Sequence, residues 1–397
     1  MKIIYLHQYF NTPSMSGGSR SYQMAKRLVG WGHEVHMITS SKQMGVKKIE
    51  LIDGINVHWI PERYSNTMSY SSRLKAFFSF AFKASKECNG LQADIVFATS
   101  TPLTIILPAY YISKTLKIPY VFEVRDLWPE LPIAIGALKN PIAKWMAKKL
   151  EIFAYKNAKH VVALSPGMAD GVTAFNPNVT VIPNSSDIHE FSYDEAKEKI
   201  FRKKYPELGD FKFGLYAGTF GFINGVSYLV DLALELKEKD SDFKIVAIGQ
   251  GYEWIKVKEY AQSKGVLGNN LFIYSALPKV DIINAFSAAS FGFSLFIDLK
   301  EMEANSANKF FDTLAASIPP LINYGGWQQE LLKKTNSGLV LDRDVKLAAN
   351  QIYEILNNDA MYKNMSLNAG KLASMQFDRD NLAAKLDSVL TSSTLER

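Results

Sequence analysis

The sequence predicts an α/β protein with two Rossmann-like domains, each a doubly wound parallel sheet, facing each other across a cleft. Its 397 residues exceed the usual size of a single α/β core. Short apolar runs alternate with amphipathic stretches, which is the pattern of βαβ units. The alternation starts again near residue 191. We therefore place one domain at residues 1–190 and a second at 191–379.

Runs rich in β-branched and aromatic residues predict the strands of the first domain. They are KIIYLHQYF (2–10), EVHMITS (34–40), NVHWIPE (56–62), ADIVFATS (93–100), YVFEVRD (120–126), HVVALS (160–165) and VTVIPN (179–184). The stretch SRSYQMAKRLVGWG (19–32) has apolar residues at helical spacing and a glycine stop, so it predicts the first crossover helix.

The second domain repeats this order. Its predicted strands are FKFGLYAGTF (211–220), FKIVAIGQG (243–251), LFIYSA (271–276), ASFGFSLF (289–296), PPLINYG (319–325) and GLVLD (338–342). The polar stretch 192–210 suits a hinge, and we expect a last helix at about 380–397 to pack back on the first domain.

The composition favours a globular protein of a reducing compartment. Hydrophobic residues make up 47% and charged residues 21% of the sequence. The single cysteine, Cys88, excludes an internal disulfide and a cysteine-rich metal site. The start of the chain reads as a strand, not a secretory signal, and no apolar run reaches the ~20 residues that span a bilayer. We expect a cytoplasmic location.

The positive charge is concentrated in the first domain. Residues 1–190 carry 21 Lys and Arg against 13 Asp and Glu, whereas the remainder carries 24 against 26. This asymmetry predicts that the first domain meets an anionic surface or substrate, with membrane phosphate as the first candidate. No feature points to a nucleic-acid partner.

Several motifs occur in the order found in a known enzyme family. They are GGSRSYQMAKRLVGWGHEV, FEVRDLWPE, VVALSPGM, VTVIPNSSD, and NSANKFFDTLAAS followed by PPLINYGGWQ. Together they extend over essentially the whole chain. On these motifs the chain resembles the family 4 retaining glycosyltransferases and, within them, the WbuB-like branch of L-fucosamine (N-acetyl-fucosamine) transferases.

The resemblance implies a GT-B fold and transfer of a sugar from a nucleotide diphosphate sugar, such as a UDP-sugar, without a metal or other cofactor. It also implies a polyprenyl-diphosphate-linked saccharide as acceptor, in surface polysaccharide assembly such as O-antigen or capsule. Retention without a second well-placed carboxylate favours front-face attack, in which the leaving phosphate helps to deprotonate the acceptor.

Two glycines precede the first predicted helix. Gly17 and Gly18 leave bare backbone where a sugar or phosphate can approach a helix amino terminus, and Arg20 follows in the first turn. An ordinary turn is the alternative. The resemblance places this segment near the donor phosphates and the acceptor, so we predict that all three residues bind substrate.

The segment 123–130 sets four charges beside an aromatic residue and a proline directly after a strand. A salt-bridged loop is the alternative to a sugar-facing loop. The resemblance favours the sugar and predicts catalytic roles for Arg125 and Asp126. Many relatives carry a histidine where Arg125 stands, which leaves open the group that contacts the donor sugar.

NSANKFFDTLAAS is the most informative motif. The resemblance aligns Asp312 with the second Glu of an E-x7-E motif, where a carboxylate accepts both ribose hydroxyls. The first Glu falls on Ala304, so Glu303 is the nearest candidate for a catalytic position at the sugar. Lys309 near a helix start offers a diphosphate both charge and oriented amides, although a solvated helix lysine is the alternative. The remaining predicted substrate contacts here are Asn305, Ser306 and Asn308.

The loop 218–225 departs from the family, since many relatives place an Arg and a Lys there for the diphosphate and this chain has neither. Neutralisation then falls to Lys309, Arg125 or Arg20. Small residues and strand ends suit backbone contacts to phosphate, nucleotide and base. The predicted contacts of this kind are Gly218, Thr219, Gly249, Gly251, Ser275 and Leu277.

The stretch 63–86 is basic and aromatic, and it combines Arg73, Lys75, Lys83 and Lys86 with Phe77, Phe78, Phe80 and Phe82. It suits an anionic membrane at the inner face of the plasma membrane, and a core helix with a solvated basic face is the alternative. Two other functions compete with transfer: a UDP-sugar 2-epimerase of the same fold, and a non-catalytic sugar-nucleotide-binding subunit. The six histidines show no metal-ligand spacing.

Overall fold

The chain forms two compact units in a computed structural model, which describes residues 1–15, 18–41, 47–62, 68, 70–239 and 242–395. Unit 1 comprises Met1–Pro183 and Asp380–Arg397, and unit 2 comprises Asn184–Arg379. The chain thus enters unit 2 earlier than residue 190, where the sequence placed the boundary. Among the described residues, no helix is both long and apolar enough to cross a bilayer.

Unit 1 contains eight strands and the helices that connect them within the described ranges. In chain order these are β1 (Lys2–Leu6), α1 (Arg20–Gly30), β2 (Glu34–Ser41), β3 (Lys48–Ile52), β4 (Ile55–Pro61), α2 (Tyr70–Cys88), β5 (Ile95–Thr99), α3 (Ile106–Leu116), β6 (Tyr120–Val124), α4 (Glu130–Ala134), α5 (Pro141–Asn157), β7 (His160–Ala163), α6 (Pro166–Thr173) and β8 (Val179–Val181).

The strands of unit 1 lie in the order β3-β4-β2-β1-β5-β6-β7-β8. Every pair is parallel except β3–β4, which is antiparallel. This confirms the predicted doubly wound sheet and corrects it at one edge. Strand β3 was not predicted because KIELI is a short edge strand whose residues are exposed or half-buried, so it lacks a buried apolar run.

Unit 2 contains the remaining strands. Its elements are α7 (Ile188–Phe191), α8 (Glu195–Lys204), β9 (Phe213–Ala217), α9 (Tyr228–Glu238), β10 (Lys244–Ile248), α10 (Trp254–Ser263), β11 (Leu271–Tyr274), α11 (Lys279–Ala288), β12 (Phe291–Ser294), α12 (Asn308–Ala315), β13 (Pro320–Ile322), α13 (Trp327–Thr335), β14 (Leu339–Val340), α14 (Val345–Leu356) and α15 (Asp359–Gln376). The order β11-β10-β9-β12-β13-β14 is parallel throughout.

The predicted hinge at 192–210 is wrong. This stretch contains α8, and Phe201 and Leu208 are fully buried in one core with Phe213 of β9. Because its apolar residues fill that core, the segment is a packed part of unit 2. Its many charges, which suggested a linker, lie on the opposite face of α8.

A last helix, α16 (Arg379–Leu395), returns to unit 1. Leu382, Leu386 and Leu390 project from one face of it into the core formed by α1, β1 and β2. Their spacing of four residues places them on a single stripe, which explains why the helix packs against unit 1 along its length.

A buried ion pair joins separate parts of unit 1. The Arg20 guanidinium donates to Glu123 Oε1 from Nε at 3.1 Å and from Nη2 at 2.9 Å, and their side chains are only 4% and 0% exposed. It also donates to the carbonyls of Ile182 at 2.9 Å and Pro183 at 2.6 Å. Thr99 donates to the other Glu123 oxygen. The network therefore links α1 to β5, to β6 and to the residues that directly follow β8.

We expect Arg20→Ala to lower the free energy of unfolding of unit 1 by about 3–5 kcal/mol, because it leaves Glu123 as an unpaired buried carboxylate. Urea denaturation followed by circular dichroism measures this. The matched control is Arg27→Ala, which removes an ion pair to an Asp380 side chain that is 70% exposed. That change should cost less than about 1 kcal/mol. Equal effects of the two variants would contradict the assignment.

Candidate functional site

The carboxyl ends of β1 and β6 bring a histidine and an arginine together in unit 1. His7 follows β1, the strand with β2 on one side and β5 on the other, which is where open parallel sheets bind ligands. Arg125 follows β6, and its Nη1 donates to His7 Nε2 at 3.2 Å. Burial lowers the pKa of His7 well below its usual value, and the charge of Arg125 lowers it further. The imidazole is therefore a neutral acceptor.

Arg125 is held in place from both ends. Its backbone N–H donates to Ser100 Oγ at 3.0 Å, while its side chain rests on His7. His7 Nδ1 has no hydrogen-bond partner within the described part of the chain. Asp126 comes next and is exposed. His7 was not among the predicted site residues, because it falls inside the predicted strand 2–10, whereas β1 ends at Leu6.

The other predicted substrate contacts in unit 1 include one cation, Arg20. Arg20 is fully engaged in the buried network described above, which argues against its predicted role in neutralising a phosphate. Gly18 is exposed two residues before α1. Gly17 lies outside the described residues. In the segment 123–130, the predicted alternative of a salt bridge therefore holds for Glu123, which pairs with Arg20. Arg125 instead lies at the carboxyl edge of the sheet, beside His7.

In unit 2, Lys309 places an ammonium in an aromatic surround. Its side chain leaves the first turn of α12, and Nζ lies 5.0 Å from the ring centre of Tyr216 and 5.1 Å from that of Phe296. The residue is 9% exposed, and burial lowers the pKa of its ammonium to about 8. No carboxylate pairs with it among the residues that the structure describes. At pH 7 the group is still about nine-tenths protonated.

The loop 218–225 forms the other side of the Lys309 site. With the Asn224 amide oriented so that both its groups are satisfied, its oxygen accepts from Lys309 Nζ at 3.2 Å and its nitrogen donates to the Thr219 carbonyl at 3.0 Å. Tyr216 donates to the same carbonyl at 2.7 Å. The Lys309 ammonium therefore lies beside this loop, 3.7 Å from where a Cβ on Gly218 would stand. The sequence offered no signal for Asn224 as its partner.

Two predicted glycine contacts have a structural cause. A Cβ on Gly249 would lie 1.8 Å from the Gly218 carbonyl, and one on Gly251 would lie 2.3 Å from the Phe220 carbonyl. Only glycine allows the loops after β9 and β10 to pack so closely. This close packing is sufficient to explain why Gly249 and Gly251 are glycines, and it requires no ligand contact. Thr219 itself is exposed on the same loop.

Asp312 lies one turn further along α12 than Lys309 and faces different neighbours. Its Oδ1 accepts a hydrogen bond from Ser186 Oγ at 2.7 Å. Burial raises the pKa of the carboxyl group to about 6, although the Ser186 bond and the charges of Arg379 and Lys279 oppose this. One helix thus presents a cation and a carboxylate about one turn apart.

The segment before α12 supports this helix from within. Asn305 Oδ1 accepts from Ala307 N at 3.2 Å and its Nδ2 donates to the Met302 carbonyl at 2.6 Å. Ser306 Oγ accepts from Asn184 N at 3.0 Å. Both predicted substrate contacts are therefore already used in the fold. The side chain of Asn308, the first residue of α12, is exposed.

The remaining predicted residues lie at the surface of unit 2. Glu303 belongs to a short 3-10 turn, Lys300–Ala304, and its side chain is exposed. Ser275 is exposed directly after β11, and Leu277 is half-buried against the adjacent core. Within the described part of the chain, the N-cap residue of α12, Ala307, makes no side-chain hydrogen bond to the first amides of the helix. Amides without such a cap can bind an anion. Within the described ranges, no group of three His, Cys, Asp or Glu side chains could hold a metal.

Two family models match the chain in succession. Residues 17–190 match Glycosyltransferase Family 4, and residues 197–372 match Glycosyl transferases group 1. A comparison of the sequence with curated proteins finds no significant match. The matched ranges follow the division into two units.

The fold is similar to those of solved glycosyltransferase structures. Sucrose-phosphate synthase from Thermosynechococcus elongatus superposes with a TM-score of 0.78 at 14% identity over 100% of both chains. Anabaena HepE in complex with UDP and glucose gives 0.73 at 14% identity over 99% of this chain and 100% of that one. WaaG, a glycosyltransferase involved in lipopolysaccharide biosynthesis, gives 0.71 at 14% identity over 98% and 99%. The chain belongs to the family 4 and group 1 glycosyltransferases and is a transferase of the GT-B fold.

Proposed function

We propose that this glycosyltransferase transfers an N-acetylated amino sugar from a UDP-sugar, with retention, to a polyprenyl-diphosphate-linked saccharide at the inner face of the plasma membrane. The observation that carries the donor half of the proposal is the Lys309 ammonium, which is buried beside a glycine-containing loop and has no carboxylate partner within the described ranges. A diphosphate supplies the missing negative charge.

Lys309 and the amino terminus of α12 act on the same charge in this proposal. As the glycosidic bond breaks, negative charge develops on the leaving diphosphate, and a preorganised ammonium with helix amides stabilises it. Because the 218–225 loop contains no cation, Lys309 takes over the neutralisation in unit 2. We assign Asp312 to the ribose hydroxyls, with the backbone of residues 275–277 at the base. Glu303 stays the candidate nearest the sugar.

The choice of donor and acceptor has separate support. HepE, which has a similar fold, was solved with UDP and glucose, and WaaG acts in lipopolysaccharide biosynthesis. The motif resemblance to the WbuB-like branch favours an N-acetyl-fucosamine-type sugar. The excess of basic residues in 1–190 favours an anionic, lipid-linked acceptor. Arg125, fixed on His7, supplies the corresponding cation of unit 1.

The chemistry proposed is front-face attack. The acceptor hydroxyl forms the new glycosidic bond on the face from which the diphosphate leaves, and its proton passes to a departing phosphate oxygen. This route requires no enzyme nucleophile and no metal in the residues that we assign. The protein must then position the substrates and stabilise the developing charge. In this proposal Lys309 of unit 2 and Arg125 of unit 1 do so.

The direct test is a mass-spectrometric screen of UDP-sugars against a short-chain polyprenyl-diphosphate saccharide. We expect one donor to add its sugar mass to the acceptor with the anomeric configuration retained. Incubation with each donor alone is the control. Conversion of the donor without acceptor would indicate epimerisation, and no transfer from any UDP-sugar would refute the proposed donor class.

We expect Lys309→Ala to lower kcat by about 10²- to 10³-fold while the circular dichroism spectrum is unchanged, since it removes a preorganised charge from the leaving group. Lys256→Ala, which replaces an unrelated lysine with an 80% exposed side chain, is the control and should leave kcat unaltered. Full activity of the Lys309 variant would exclude this residue from the site.

The affinity for UDP should also fall as the pH rises above about 8. Binding of a diphosphate requires the protonated Lys309, whose pKa without ligand is about 8. Above that pH the ammonium must be recharged on binding, so Kd should rise by up to about tenfold per pH unit. Calorimetry between pH 7 and 9 measures this. A Kd independent of pH over this range would contradict the assignment.

Asp312→Asn should weaken UDP binding by about tenfold or more at pH 7.5, because the ionised acceptor of the ribose hydroxyls is lost. Its thermal midpoint should stay the same or rise. The pKa of Asp312 is raised to about 6, so above that pH the wild-type fold carries an ionised carboxylate that burial disfavours. The asparagine oxygen can still accept from Ser186. Unchanged UDP affinity in calorimetry would remove Asp312 from the site.

A further inference from the structure

Helix α2 of unit 1 carries an apolar stripe that faces solvent. Leu74, Phe78 and Phe82 are 39%, 50% and 74% exposed. They recur every four residues and therefore line one side of the helix. Phe80 and Ala84 lie on the other side of α2 and are buried, so α2 packs on unit 1 through that other side. The core-helix alternative therefore holds for the inner face of α2, while the membrane contact stays a prediction; residues 63–67 and 69 of the predicted stretch lie outside the described residues.

Two further helices of unit 1 have the same property. On α5, Ile142, Trp145 and Met146 are 69%, 62% and 58% exposed, at a helical spacing that places them on one side. On α3, Leu107 and Tyr111 are 36% and 44% exposed, four residues apart. Large apolar side chains scattered singly on a surface need no explanation, but three stripes on three helices do.

The three helices lie on the same side of the sheet. Each precedes a strand placed further along the order β1-β5-β6-β7, and right-handed crossovers put such helices on one face. Helices α2 and α3 pack against each other. Tyr110 of α3 and Phe153 of α5 are in edge contact, with ring centres 4.8 Å apart. We call the outward side of α2, α3 and α5 the three-helix surface.

The charge on helices α2, α3 and α5 is mostly positive, although Lys83 pairs with Glu62 at 2.7 Å and Lys148 pairs with Glu130, both from adjoining segments. The only carboxylates on these helices are Glu87 and Glu151, whose side chains are 7% and 4% exposed and turn inward. Glu87 bonds His58 at 2.7 Å, and Glu151 accepts from Tyr155 at 3.0 Å. The basic residues of the helices are Arg73, Lys75, Lys83, Lys86, Lys114, Lys144, Lys148, Lys149 and Lys156.

We infer that the three-helix surface is a docking site for an anionic lipid bilayer, with α5 as well as α2 entering the headgroup region. Exposed aromatic and aliphatic side chains among lysines are the composition that binds an anionic interface. On α5 the Lys149 ammonium lies 5.9 Å from the centre of the Trp145 ring, which combines both properties in one place. From the sequence, the membrane contact was predicted only at residues 63–86.

A second copy of the chain fits this surface less well. A two-fold contact through it would oppose two sets of basic residues, whereas the carboxylates of these helices, Glu87 and Glu151, are buried and already paired. Such a contact is unfavourable. The inference deepens the proposed function, since it rests on an acceptor carried by a lipid. It does not depend on which sugar is transferred.

The test is co-sedimentation of the full chain with vesicles of phosphatidylglycerol and phosphatidylcholine. We expect wild-type protein to bind, with less binding at 0.5 M salt because the charge is screened. The triple variant Ile142→Ser, Trp145→Ser, Met146→Ser should lose about tenfold or more of its vesicle affinity. The control variant Leu367→Ser, Met375→Ser removes side chains of α15 that are 56% and 78% exposed and should bind as wild type.

The outcomes separate this inference from the proposed reaction. Transfer to a short-chain acceptor in detergent should be equal in the wild type and the triple α5 variant. The replaced side chains are exposed, and none of them is assigned a role in the reaction. No vesicle binding by wild type, or equal binding by the triple variant, would overturn the docking surface even if transfer succeeds. A concentration-dependent dimer that the same variant abolishes would also overturn it, in favour of a second copy.

Discussion

The pairing of parallel strands is the constraint on which the placement of every candidate residue depends. In each sheet the carboxyl ends of the central strands lie at one edge, so residues far apart in sequence meet there. His7 and Arg125 are separated by 118 positions, yet their side chains are hydrogen-bonded because β1 and β6 end on the same side. In unit 2 the loop after β9 and the helix after β12 meet in the same way, which brings Lys309 beside residues 218–225.

The two buried cations show how the surroundings decide a role. Arg20 has a buried carboxylate and two carbonyls as partners, so its charge is already balanced and stabilises the fold. Lys309 has two aromatic rings and an amide oxygen, which partly compensate for lost hydration and leave a net positive charge. An anion can therefore add to the second site, while at the first it would have to displace Glu123.

The surroundings of side chains also decide what the three-helix surface of unit 1 can bind. The helices on one face of its sheet keep their carboxylates inward, in pairs with His58, Tyr155 and neighbouring lysines, and present apolar and basic side chains outward. Only part of this distribution could be predicted from the sequence. The aromatic run of α2 could be recognised, but Trp145 and Ile142 are ordinary core residues by pattern, and only their exposure separates them from a buried stripe.

The sequence by itself determined the architecture: alternating apolar runs and helices predict two parallel sheets, and the ordered motifs identify the glycosyltransferase family before any contact is known. It also pointed to Lys309 and Asp312, because a motif on one helix keeps its spacing in the fold. Tertiary structure alone decided which charges are balanced. It assigned Arg20 to the core, paired Arg125 with His7, supplied Asn224 to Lys309, packed the stretch 192–210 into unit 2 and added the edge strand β3. These outcomes depend on which side chains meet across strands and loops, and local sequence carries no record of such long-range pairings.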